Sequence, residues 1–92
     1  MDLEIRAKAV QMRLIKLTAL SCNVSFRDDI NHFYCAFKIW HKGEFLAVFT
    51  TTREYLESHT PDQIVEEIIH KSIYLVESDI LGKSPDTQIK LQ

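Results

Sequence analysis

The stretch Phe33-Tyr34-Cys35-Ala36-Phe37-Lys38-Ile39-Trp40, then His41-Lys42-Gly43-Glu44, then Phe45-Leu46-Ala47-Val48-Phe49 decides how this chain folds. Its flanks are rich in aromatic and aliphatic residues and its centre carries turn chemistry, which is the pattern of a β-hairpin. A two-residue loop at Lys42-Gly43 pairs His41 with Glu44, Trp40 with Phe45, Ile39 with Leu46 and Phe37 with Val48. Gly43 takes the positive φ such a turn needs. In that register Phe33, Cys35, Phe37, Ile39, Leu46 and Val48 share one face, and Tyr34, Ala36, Lys38, Trp40, Phe45, Ala47 and Phe49 share the other. Both faces are apolar. One packs on the chain's own helices, and the second needs a cover or a partner.

Upstream of the hairpin, Leu20, Cys22, Val24 and Phe26 alternate with Ser21, Asn23, Ser25 and Arg27, the period of a half-buried strand. Asp28-Asp29-Ile30-Asn31 supplies the turn between them, because short Asp and Asn side chains bond their own backbone. Further back, Leu3, Ala7, Val10, Leu14 and Leu17 recur at helical spacing and predict a helix over residues 2–18. Ile5, Met12 and Ile15 lie off that stripe.

Downstream, Thr51 and Glu54 fit a capping box opening a short helical turn, or else an extension of the third strand. Thr60-Pro61-Asp62-Gln63 is a stronger helix start, with Thr60 as cap, Pro61 in the first turn and Gln63 closing the box. Ile64, Val65, Ile68, Ile69, Ile73, Leu75, Val76 and Ile80 give that helix a broad core-facing surface, and Gly82 is its natural stop. Residues 87–92 alternate and suit a short edge strand.

The prediction is one α+β domain over residues 1–92, in the order helix, three antiparallel strands, helix (α-β-β-β-α), with the tail either adding a short C-terminal fourth strand or fraying. Double-stranded-RNA-binding domains share that order, but they open their last helix with basic residues that straddle phosphates. Here Thr60-Pro61-Asp62-Gln63-Ile64-Val65-Glu66-Glu67 is acidic, so the likeness of order does not carry RNA binding with it.

Composition agrees with a single core. Ninety-two residues hold one domain, which buries roughly 60–65% of the surface its unfolded chain exposes. The chain is 46% hydrophobic and 26% charged, with two glycines and two prolines, which excludes a disordered or linker-rich protein. The net charge of −2 argues against a domain given over to phosphate neutralisation. Its distribution is uneven: residues 1–46 hold seven Lys/Arg and five Asp/Glu, and residues 47–92 hold four and eight. No apolar run approaches the ~18 residues of a membrane span, and the acidic start Met1-Asp2-Leu3-Glu4 does not suit a secretory signal. A cytoplasmic protein is expected.

Few residues suggest chemistry. Cys22 and Cys35, with His32, His41, His59 and His70, lack metal-ligand spacing, and both cysteines fall on the predicted core face as buried thiols. One register sets them nearly cross-strand, but a reducing compartment disfavours a disulfide. No nucleophile neighbours a histidine, and no glycine loop cradles phosphate. Lys42-Gly43-Glu44-Phe45 starts like the aromatic strand of RNA-recognition motifs but departs from it at Glu44 and Phe45. No catalytic residue, cofactor or metal ligand is therefore expected, and the chain is read as a binding protein rather than an enzyme.

The candidate partner-binding residues are Tyr34, Trp40, Phe45 and Phe49 on the second sheet face, rimmed by Lys38 and Lys42, and the basic residues Arg6, Lys8, Arg13 and Lys16 of the first helix. In length and character the chain resembles the small phage-encoded anti-CRISPR proteins, including inhibitors of the type I-F kind; the likeness covers overall length and style, and no motif carries it. That resemblance implies a non-enzymatic inhibitor in the host bacterial cytoplasm. It would bind a multisubunit RNA-guided Cas surveillance (Cascade/Csy-type) complex, including its guide RNA, and block target DNA. The basic residues of the first helix would approach guide RNA or phosphate; alternatively Asp62, Glu66, Glu67 and Glu77 would mimic DNA. The alternatives are a small nucleic-acid-binding module using the first helix with Arg27, Lys38 and Lys42, and a homodimeric regulatory module.

Overall fold

A computed structural model describes residues 2–78 and 88–92. The elements run α1 (Leu3–Leu17), β1 (Leu20–Asp28), β2 (Phe33–His41), β3 (Glu44–Thr51), α2 (Arg53–Ser58), α3 (Pro61–Ser78) and β4 (Gln88–Lys90). The expected α+β order is present, and the tail does add a fourth strand. The sheet order is β1-β2-β3-β4, antiparallel through β3, with β4 parallel to β3. A parallel neighbour requires a crossover, which the chain makes through α2 and α3. Ile80, Gly82, Thr87 and the side chain of Glu77 lie outside the described residues.

Local chemistry sets most boundaries. Asp2 caps α1, its carboxylate accepting from Glu4 N at 3.0 Å. The β1–β2 turn closes through Asp29 N donating to His32 O at 2.7 Å. The hairpin turn has φ +52° at Lys42 and +81° at Gly43, the pair of left-handed residues whose twist matches the flanking strands. The box that opens α3 is complete: Gln63 N donates to Thr60 Oγ1 at 3.2 Å and Thr60 N donates to Gln63 Oε1 at 2.9 Å. α2 is capped by Thr52, whose hydroxyl accepts from Tyr55 N at 3.1 Å, not by Thr51. Thr51 still belongs to the ladder, opposite Cys35, so the cap falls one residue later.

The hairpin register departs from the simple alternation. His41–Glu44 and Trp40–Phe45 pair as expected, but Ile39 then faces Ala47, Lys38 faces Val48 and Phe37 faces Phe49. Leu46 is the extra residue of a β-bulge, and beyond it β3 turns over. Ala47 and Phe49 therefore enter the core, each fully buried, and Val48 moves to the opposite face. Leu46 itself stays in the core cluster, 2% exposed.

That core lies on one face of the sheet. Cys22, Cys35, Phe37, Ile39, Leu46, Ala47 and Phe49 cluster with Leu3, Ala7, Val10 and Leu14 of α1, Tyr55 and Leu56 of α2, and Ile64, Val65 and Ile68 of α3. Each large apolar side chain buried there stabilises the fold by roughly 1.5–3 kcal/mol. Leu17 and Ile73, expected in this layer, are exposed (69% and 51%), whereas Leu75 and Val76, further along α3, pack against the core. The register sets Phe26 opposite Cys35 and Ile39 opposite Cys22, so the two thiols are four residues apart along the ladder, outside disulfide geometry, and both are free.

A candidate binding face on the open side of the sheet

Alternation along the strands and the register across them place one set of residues on the side away from the helices. Ser21 lies beside Trp40 and Phe45; Asn23 beside Lys38, Val48 and Gln88; Ser25 beside Ala36, Thr50 and Lys90; Arg27 beside Tyr34. Ala36 and Val48 are buried yet stand outside the core cluster. The row Ser25–Ala36–Thr50 is thus a low trough across the sheet. It has Tyr34 and Arg27 on one side, Lys38 on the other, and Lys90 at its end.

Two properties set this surface apart. The first is aromatic. Tyr34 is 47% exposed, and Trp40 and Phe45 are half-buried and meet edge to face, centroids 5.9 Å apart at 81°. Tyr34 and Trp40 stand six residues apart on one strand, about 20 Å at ~3.3 Å per residue. The second is electrostatic. The positions just named include Arg27, Lys38 and Lys90 and no carboxylate. Arg27 donates to Asp29 Oδ2 at 2.6 Å in the adjoining turn, an exposed pair that water screens. Lys38 and Lys90 form no ion pair among the described residues.

The other candidates are drawn elsewhere. Phe49 is enclosed in the core and offers no surface. Arg6 is a structural clamp: its Nη1 donates to Leu56 O at 2.9 Å and His59 O at 2.6 Å, satisfying carbonyls at the C-terminal end of α2. Arg13 pairs with Asp62 at 2.8 Å and Lys8 with Glu4 at 3.3 Å. Lys16 is exposed in the last turn of α1, and Lys42 is exposed in the hairpin turn. So Tyr34, Lys38, Trp40 and Phe45 come together, and the basic side chains of α1 do not join them. Lys90 was missed, since only the parallel docking of β4 sets it beside Thr50; the alternation Gln88-Ile89-Lys90 is its one trace in the sequence.

Groups with chemical potential are quiet. Burial pushes the Cys22 thiol up to about 12, and burial followed by the nearby Cys22 does the same to Cys35, so both stay protonated at neutral pH. His59 stacks on Tyr55 with centroids 3.9 Å apart, and its Nδ1 lies 2.9 Å from both Ser58 Oγ and Tyr55 O, a packing role in the α2–α3 link. Among the described residues no group of three or more His, Cys, Asp or Glu side chains could hold a metal ion, and no helix is long and apolar enough to cross a membrane. No family model, curated protein or solved structure matches this chain.

Proposed function

We propose that this chain is a non-enzymatic binding module that holds an extended single-stranded nucleic-acid segment across the open face of its sheet. The observation that supports this most is the segregation of charge. The net charge of −2 conceals a sheet face whose described positions hold Arg27, Lys38 and Lys90 and no carboxylate, with Asp29 paired to Arg27 from the adjoining turn, while α2 and α3 carry Glu54, Glu57, Asp62, Glu66 and Glu67 against Arg53 and Lys71. Proteins that take single strands combine a positive track for phosphates with aromatic faces on which bases stack. Here Lys38, Lys90 and Arg27 supply the track, and Tyr34, Trp40 and Phe45 supply the apolar platform. Asn23 and Gln88 add amides able to bond base edges.

The test is a titration of a fluorescein-labelled oligonucleotide, read by anisotropy and by the emission of Trp40, the single tryptophan. Binding is expected to quench Trp40 and to weaken with salt at a log–log slope of about −2, the value for three neutralised phosphates on a single strand. An unchanged anisotropy at low salt would overturn the reading.

A second reading, an inhibitor that docks on a protein surface of an RNA-guided Cas surveillance complex and blocks target DNA, is favoured by the edge-to-face Trp40–Phe45 pair, since half-buried aromatics make interface anchors. It predicts that the protein stops a purified Cascade/Csy-type complex from binding target DNA, that Trp40→Ala abolishes the effect, and that free oligonucleotides do not bind.

A further inference from the structure

On the opposite side of the sheet, between the C-terminal end of α1, the second half of α3 and the start of β1, lies a cavity of about 460 Å³. Leu17, Leu20, Ile69, Ile73 and Val76 make most of its wall, and it opens to solvent beside the exposed Leu17 and Ile73. Among the described residues no Lys, Arg, Asp or Glu lines it. Its size falls within the ~300–1,000 Å³ of small-molecule sites, which are likewise mostly apolar with a few placed polar groups.

One of its lining side chains is anomalous. Ser72 is 2% exposed and its hydroxyl has no hydrogen-bond partner among the described residues. A serine inside a helix ordinarily turns its hydroxyl back to the carbonyl four residues earlier; Ser72 does not. A buried hydroxyl left unpaired is destabilising, and such groups are rare enough to call for an explanation. The other hydroxyl on the wall, that of Thr18, is already engaged, donating to Leu14 O at 2.6 Å and accepting from Leu20 N at 3.0 Å. A trapped water is a poor answer, because buried waters take about three polar partners and the described residues of this wall supply Ser72 with little besides the half-buried His41.

We infer that this cavity binds an uncharged, largely apolar small molecule that carries one hydrogen-bonding group, with the Ser72 hydroxyl as its polar anchor. The described lining disfavours charged ligands, since a carboxylate or ammonium would lose its hydration and find no counter-charge among these residues. The apolar body of the ligand takes the place of water against Leu20, Ile69 and Val76, and its single polar group satisfies the Ser72 hydroxyl, which has no partner among the described residues. The site faces away from the sheet surface assigned to nucleic acid, so neither assignment depends on the other.

The probe is N-phenyl-1-naphthylamine, uncharged, aromatic and bearing one N–H. The full chain is expected to enhance and blue-shift its fluorescence saturably at one equivalent, independent of salt. Ser72→Ala keeps the cavity and removes the anchor, and should weaken binding about five- to tenfold, the effect of one hydrogen bond. Ser72→Leu projects into the cavity and should abolish binding. Circular dichroism establishes that both variants are folded, and Ser72→Ala carries the test if Ser72→Leu is not. Absence of saturable binding by the wild-type chain would overturn the inference, and so would binding by Ser72→Ala equal to wild type, which would put the probe on the exposed Leu17 and Ile73 instead.

Discussion

The two faces of the sheet are made by the same four strands and obey different rules. The helix side is a continuous apolar layer in which Phe37, Ile39, Ala47 and Phe49 are fully enclosed. The open side mixes aromatics, small residues, amides and cations, and among the described residues its buried members, Ala36 and Val48, stand outside the core cluster. Burial alone does not separate stability from function; the neighbours that cause it do. Substitutions on the first face should cost folding, and substitutions on the second should cost binding.

The sharpest way to break that contrast is Phe49→Ala. The bulge at Leu46 sends Phe49 into the core, so its truncation should cost about 3–5 kcal/mol in urea unfolding. Val48→Thr, one residue away on the open side, should change stability by less than about 1 kcal/mol. The reverse order would mean that β3 pairs without its bulge.

Alkaline unfolding tests the enclosed layer next. Both thiols have their folded values raised to about 12 from an ordinary 9.0, so below pH 9 they are neutral in both states and their contribution is fully present. Above pH 9 the unfolded chain releases these protons while the native chain keeps them. The unfolded state then binds fewer protons, and stability falls as pH rises from 9 towards 12, by roughly 1 kcal/mol per thiol per pH unit. Tyr55, raised by burial and then by the Glu67 carboxylate, acts in the same sense. Replacing Cys22 and Cys35 with Ala should flatten that slope.

Arg6→Ala removes the clamp on α2 and should cost about 2 kcal/mol, the scale of charge-assisted hydrogen bonds, without altering binding at the open face. The smallest stability effects belong to Trp40→Ala and Lys38→Gln, which should move the unfolding midpoint little. Trp40→Ala is expected to weaken oligonucleotide binding tenfold or more, as loss of a stacking platform does, and Lys38→Gln to reduce the salt slope by about 0.7.

Particular residues explain what could be read in advance. Lys42-Gly43, the alternation from Leu20 to Arg27 and the Thr60–Gln63 box each act within a few residues, so their structures follow from local sterics and hydrogen bonding. The bulge was not legible, because Phe45-Leu46-Ala47-Val48-Phe49 is apolar throughout and either parity presents an apolar face. The mistaken parity put Phe49 among the partner-binding candidates and left Val48 in the core. Arg6 read as a free cation on a basic helix side because the carbonyls it binds belong to residues about fifty positions away.

The sequence by itself determined the element order, the turn, the main helix start and one apolar stripe per element, since these rest on period and on short-range bonding. The tertiary structure alone decided which face of β3 looks inward, that β4 runs parallel to β3 and brings Lys90 beside Thr50, that three of the four basic residues of α1 are held by partners, and that Ser72 is enclosed with no partner among the described residues. Each of these turns on contacts between residues far apart in the chain, which only close packing of the whole domain brings together.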